Sequence, residues 1–117
     1  MRVAGGMVDP EAVDLVFSAL ANPTRRQVVE RLSGSPASVS ELAEPFDMAL
    51  PSFLQHLRVL EDSGLVRSRK QGRVRTYRLN SRPLGIAEDW LDRQRCLWES
   101  RLDRFDAYVT TLQEDPR

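Results

Sequence analysis

The sequence predicts a mostly helical fold with one small β-hairpin and a long closing helix, and three observations carry that reading. Phe53, Leu54, Leu57 and Leu60 recur at one-face helical spacing before a stop at Gly64. Val66, Val74, Tyr77 and Leu79 suit paired strands, and Gln71-Gly72 supplies a tight reversal between them. A third apolar series, Ala87, Trp90, Leu91, Leu97, Trp98, Leu102, Phe105, Val109 and Leu112, runs in steps of three and four through most of its length. Helix, hairpin and terminal helix together give about five helices in the outline of a winged helix-turn-helix, with a small hairpin as the wing.

In chain order, residues 1–8 are small or apolar and read as a flexible arm. Asp9-Pro10-Glu11 opens a first helix, with Asp9 as cap and Pro10 at the first helical position. Its buried stripe is Val13, Val16, Phe17 and Leu20. Asn22-Pro23 repeats the signal, so the first helix ends near Ala21 and a second runs from Pro23 to about Leu32. Ser38-Val39-Ser40-Glu41 matches a capping box and starts a short third helix ending near Pro45-Phe46. Residues 47–50 turn the chain into a fourth helix over about 51–63, the hairpin follows, and Ser81-Arg82-Pro83 opens the last helix, which extends to about Gln113. The organisation expected is one domain: a DNA-binding core over 9–80 and a terminal dimerisation helix over 81–113.

At 117 residues and 41% apolar content the chain is long enough for one modest core. No apolar run approaches the length of a membrane span, residues 1–8 lack a signal peptide's apolar centre, and the single Cys96 suits a reducing compartment, so a cytoplasmic protein without membrane contact is expected. Net charge is zero, yet seven of the 17 basic residues (Arg67, Arg69, Lys70, Arg73, Arg75, Arg78 and Arg82) lie between Ser63 and Ala87, where there is no acid. What a DNA duplex meets is this local field rather than the total.

The segment resembles the ArsR/SmtB family of small winged-helix repressors. The family's pattern of Pro, Gln-His-Leu, Val-Leu and Gly-Leu-Val is matched by Pro51, Gln55-His56-Leu57, Val59-Leu60 and Gly64-Leu65-Val66, and Leu20-Ala21-Asn22-Pro23-Thr24-Arg25-Arg26 is similar to the opening of its second helix. The likeness covers roughly 12–80 by motif and the last helix by position. There are departures: Ala49, Leu50 and Leu54 stand where the family often has Ser, Gln and Ser, which moves weight from base reading toward phosphate contact and DNA shape.

The residues expected to meet DNA are Ser38 and Ser40 on the bracing helix, Ser52, Gln55, His56 and Arg58 on the reading helix, and Lys70, Arg73 and Arg75 on the wing. Alternation puts Arg75 on the inward side with Tyr77 and Leu79, so either the strand is irregular near the turn or Arg75 lies beyond the core. Thirty residues of unbroken helix span about 45 Å, against a radius of gyration of about 13 Å for a globule of this length. Part of the last helix is therefore left without cover in its own chain. A two-fold partner is the expected remedy, with Val13, Val16, Phe17, Trp90, Leu91, Leu97 and Trp98 at the homodimer interface.

The metal triggers for which the resembled family is known need ligands that this chain lacks. The third helix reads Ser40-Glu41-Leu42-Ala43-Glu44 without a cysteine, and the last helix offers Asp92, Glu99, Asp103 and Asp106 without a histidine. Asp89 with Arg93 reads as an ion pair on a helix face. No metal or cofactor is expected, and no phosphate loop or nucleophile with a base partner points to an enzyme. The function expected is a dimeric DNA-binding transcriptional regulator, a repressor acting at an inverted repeat. A winged-helix adaptor for an acidic protein and a carboxylate-based metal-responsive repressor are the alternatives.

Overall fold

The computed structural model of the chain describes residues 9–114, with side-chain exposure given as far as Val109. The arm expected over 1–8 and the apolar Leu112 fall outside those limits. Five helices and three strands follow in the order α1 (Pro10–Leu20), α2 (Pro23–Leu32), β1 (Ala37–Ser38), α3 (Val39–Ala43), α4 (Leu50–Asp62), β2 (Val66–Gln71), β3 (Val74–Leu79) and α5 (Arg82–Glu114). The chain divides into two compact units, one running to Ala87 and the other from Glu88.

Local chemistry sets the helix limits in the first unit. Asp9 accepts from the Glu11 amide at 3.0 Å, and Asn22 accepts from the Thr24 and Arg25 amides at 2.8 and 3.2 Å. Each cap is followed by a proline at the first helical position, where its missing N–H costs nothing. Ser38 and Glu41 complete a reciprocal capping box: Ser38 Oγ accepts from the Glu41 amide at 3.2 Å, and Glu41 Oε1 from the Ser38 amide at 2.9 Å. The bond from the Ser38 amide, and after it the Ser38 side chain, hold the Glu41 carboxyl below its usual range. Helix α4 ends at a Schellman motif. Gly64, at φ 83°, sends its amide to the Glu61 carbonyl at 2.9 Å, and the Leu65 amide reaches back to Leu60 at 3.1 Å.

The junction of α1 and α2 is stapled from the side. Arg25 Nε donates to the Ala19 carbonyl at 2.8 Å and Nη2 to Ser18 at 3.1 Å, while Arg26 Nη1 donates to Leu20 at 2.9 Å. The Ala19 and Leu20 carbonyls of the last turn of α1 thus gain donors that the helix itself cannot supply, and Ser18, which already accepts from the Ala21 amide at 3.2 Å, gains a second.

Strands β2 and β3 pair antiparallel from Val66↔Leu79 to Gln71↔Val74, leaving a two-residue loop of Gly72 and Arg73. Gly72 has φ 62° and among the described residues no non-glycine residue has positive φ, which is the pattern of a type II′ hairpin turn. The sequence did not announce β1. Its two residues pair with β3 through Ala37↔Tyr77 and Ser38↔Thr76, so the sheet has three strands in the order β1-β3-β2.

The core lies between α1, α2, α4 and the sheet, and its fully buried centre includes Val16, Val28, Leu42, Phe53, Leu57, Leu60 and Leu65. Phe46, beyond α3, stacks at a tilt on Phe53 with ring centroids 5.4 Å apart. Val13 and Val16, expected at a subunit interface, are 6% and 1% exposed and have almost no surface left to bury against a second copy. Phe17 is half-buried against the same core. In the second unit every residue from Glu88 to Tyr108 is exposed, including Trp90, Leu91, Leu97 and Trp98. The ion pair on this stretch joins Asp92 to Arg95, one turn from the expected Asp89 and Arg93. No helix is long and apolar enough to cross a membrane among the described residues.

Candidate nucleic-acid interface

Helix α4 inserts Phe53, Leu57 and Leu60 into the core and turns the rest of its circumference outward. The outward residues include Leu50, Ser52, Leu54, Gln55 and Arg58, all exposed. Ser52, Gln55 and Arg58 are therefore available side by side, as their spacing predicts. Leu50 and Leu54 add apolar groups to the same surface, 52% and 41% exposed, where thymine methyl groups are suitable partners. The helix start carries no side-chain cap, because the cap position is Ala49.

His56 departs from expectation. Its ring is only partly exposed, and Nδ1 lies 3.0 Å from Arg25 Nη1, the same guanidinium that staples α1. An arginine donates and cannot accept, so Nδ1 is the acceptor and the ring proton sits on Nε2. Burial, then the adjacent positive charge, lowers the His56 pKa below its ordinary 6.5. His56 thus locks α4 to α2 and α1 rather than standing free beside Gln55. No spacing rule could show this, because the partner lies 31 residues away.

On α3, Ser40 is exposed, whereas Ser38 is half-buried with its hydroxyl oxygen engaged in the capping box. The Ser38 hydroxyl also faces the Glu41 carboxyl, whose pKa it helps to lower.

The wing has two chemically distinct faces. Val66, Ser68 and Lys70 on β2 share one face with Arg75, Tyr77 and Leu79 on β3, and Val66 and Tyr77 are buried against the body. The strand is regular, so Arg75 does point to the Tyr77 side, and it lies beyond the core in solvent. There Arg75 Nη1 donates to Ser68 Oγ at 2.8 Å, and Ser68 in turn donates to Glu61 Oε2 at 2.8 Å. One hydroxyl bridges a wing arginine to a carboxylate on the last turn of α4. Part of the hydrogen-bonding capacity expected to meet phosphate is spent bracing the wing against the reading helix. Burial, followed by the Glu61 charge, raises the Tyr77 pKa from its ordinary 10.0.

Lys70 and Arg73 stand exposed at the wing tip. Among the described residues no three His, Cys, Asp or Glu side chains gather in a way that could hold a metal ion. Cys96 is exposed on α5.

Residues 20–69 match the helix-turn-helix domain family. The chain is 41% identical over 102 residues to the HTH-type transcriptional regulator Rv2034 of Mycobacterium tuberculosis, covering 87% of this chain and 92% of that protein. It is 30% identical to the transcriptional repressor SdpR of Bacillus subtilis, covering 65% of this chain and 84% of SdpR. Among solved structures, an ArsR family transcriptional regulator superposes with a TM-score of 0.78 at 56% identity, over 81% of this chain and 98% of that one. An ArsR-like transcriptional regulator from Rhodococcus sp. RHA1 superposes with a TM-score of 0.71 at 30% identity, over 90% and 95% of the two chains. With the same fold, the same motifs and similarity across nearly the whole of these relatives, the chain belongs to the ArsR family of winged helix-turn-helix transcriptional regulators.

Proposed function

We propose that this regulator is a repressor that binds an inverted-repeat operator as a homodimer, with α4 of each subunit in a major groove and each wing tip on the adjoining backbone. The observation that carries the reading is that Ser52, Gln55 and Arg58 are exposed along one face of α4 while Lys70 and Arg73 are exposed on the hairpin that follows it. Gln55 is suited to adenine, Leu50 and Leu54 to thymine methyls, and Arg58, Lys70, Arg73 and the free donors of Arg75 to phosphate. Ser38 and Ser40 add hydroxyl donors from the bracing helix. A two-fold pair of such heads would engage successive major grooves about 34 Å apart. The apolar side chains exposed on α5 support pairing through that helix. Occupying a promoter that polymerase needs is sufficient for repression.

The test is selection of duplexes from genomic fragments, beginning with the chain's own promoter, followed by titration of the recovered site at two salt concentrations. The expected result is preference for one inverted repeat over random duplex and a steep loss of affinity with salt. Indifference to every duplex would overturn the reading and favour an adaptor that meets an acidic protein.

A further inference from the structure

The second face of the wing is more heavily charged than the first. Arg67, Arg69 and Gln71 on β2 share it with Thr76 and Arg78 on β3, and these five with Pro36 line a shallow depression over the sheet. Arg67 stands directly opposite Arg78, and Arg69 is their same-face neighbour. Directly paired strand residues lie only about 5 Å apart, and like charges so placed destabilise a hairpin. Among the described residues none of the three guanidinium groups has a hydrogen bond or an ion pair. The fold thus sustains a repulsive cluster that an external anion would relieve.

Geometry narrows the anion. Residues two apart on a strand are separated by about 6.7 Å. Successive phosphates on one DNA strand lie about 7 Å apart through space, given a rise of about 3.4 Å and roughly ten base pairs per turn. Arg67 and Arg69 therefore match two consecutive phosphates, with Arg78 beside the first. The Thr76 hydroxyl and Gln71 amide add neutral donors on the same face. A protein partner would need an apolar anchor seated in a pocket; the depression itself offers only Pro36, and Val74, opposite Gln71 on the same face, stands outside it beside the turn.

We propose that this outer face is a second phosphate-binding surface, separate from the wing tip, that holds the backbone of the duplex flanking the operator. The inference rests on the DNA-binding reading above. It extends the contact on each side beyond the base pairs read by α4 and makes affinity depend on duplex length as well as sequence.

The experiment uses the full chain and two duplexes: the selected repeat trimmed to its core, and the same repeat with about one helical turn of flank on each side. Replacing Arg67, Arg69 and Arg78 together by Gln should lower the salt slope on the flanked duplex by about 1.8 per protomer, two phosphates at about 0.9 each. On the trimmed duplex the variant and the wild type should coincide. The single Arg69→Gln variant should lose about 0.9 per protomer, and the triple Arg→Lys variant should keep most of the slope. Thermal unfolding of the free Gln variants should match or exceed the wild type, because repulsion has been removed. A wild-type slope for the triple Gln variant on the flanked duplex overturns the inference, as does an equal loss on both duplexes. Failure of the wild type to bind either duplex overturns the DNA-binding reading as well, so the two failures are distinguishable.

Discussion

Val16 on α1 and Trp98 on α5 both belong to apolar stripes spaced for one helix face, yet Val16 is 1% exposed and Trp98 60%. Periodicity says that a face is apolar; what covers that face is decided by the rest of the molecule. On α1 the cover is internal, since Val16 and Ala19 join a core built with α2 and α4. On α5 the chain leaves Leu91, Leu97, Trp98, Leu102, Phe105 and Tyr108 in solvent, a larger apolar surface than a lone soluble chain usually tolerates. The same contrast recurs within α4, where Gln55 is exposed and the adjacent His56 is covered by an arginine from another helix.

The largest effect should come from breaking the uncovered stripe. Leu91→Glu together with Trp98→Glu should convert a dimer into single subunits in sedimentation and reduce operator affinity by about 100-fold or more, because the second head loses its tether to the first. The core of the first unit should unfold as before. A double variant that sediments like the wild type would remove α5 from the interface and leave its exposed aromatics without a stated role.

The covered stripe should respond in the opposite way. Val16→Ala deletes two buried methyl groups and should cost about 2 kcal/mol of unfolding free energy, read as a lower urea midpoint at constant slope. Its sedimentation should not change. If Val16→Ala instead weakened association while leaving the urea midpoint in place, α1 would be an interface helix after all. A smaller loss, about 1 kcal/mol, is expected for Ser38→Ala, which removes one arm of the α3 capping box. That variant leaves both stripes intact, so it should move the midpoint and leave sedimentation unchanged.

The sequence made the elements legible wherever the cause was local. Asp9, Asn22 and Ser38 each cap the amides that their positions predict, and Gly64 and Gly72 take the positive φ that their stop and turn require. Strand β1 was not legible, because two residues have no period and exist as a strand only through pairing with β3, about forty residues on. Of the candidate interface, exposure of Ser52, Gln55, Arg58, Lys70 and Arg73 followed from alternation and helical spacing. The fates of His56 and Arg75 did not, since each is set by a partner on another element: Arg25 for the first, and Ser68 with Glu61 for the second. The two-faced wing was implicit in the alternation of its arginines, but it becomes informative only once the cross-strand register sets Arg67 opposite Arg78.

The smallest effect, and the most direct test of cover against exposure within one helix, is the pH response of His56. Its folded pKa lies below 6.5 because partial burial and the Arg25 charge both disfavour the imidazolium, and Nδ1 can accept from Arg25 only while unprotonated. The unfolded chain has neither influence and takes up its proton near the ordinary value. Between the two pKa values the unfolded state therefore binds more protons, and stability rises with pH across that window. The contribution of neutral His56 is fully present above 6.5 and is lost as pH falls from there through the lower folded value. His56→Gln keeps an acceptor for Arg25 but does not titrate. Urea midpoints of wild type and variant should differ by a constant amount above pH of about 7 and by a changing amount below it, with the wild type losing ground as acid is added. A difference that stays constant down to pH of about 5 would mean that His56 is as open to solvent as Gln55 beside it, and that Arg25 does not lock the reading helix to the body.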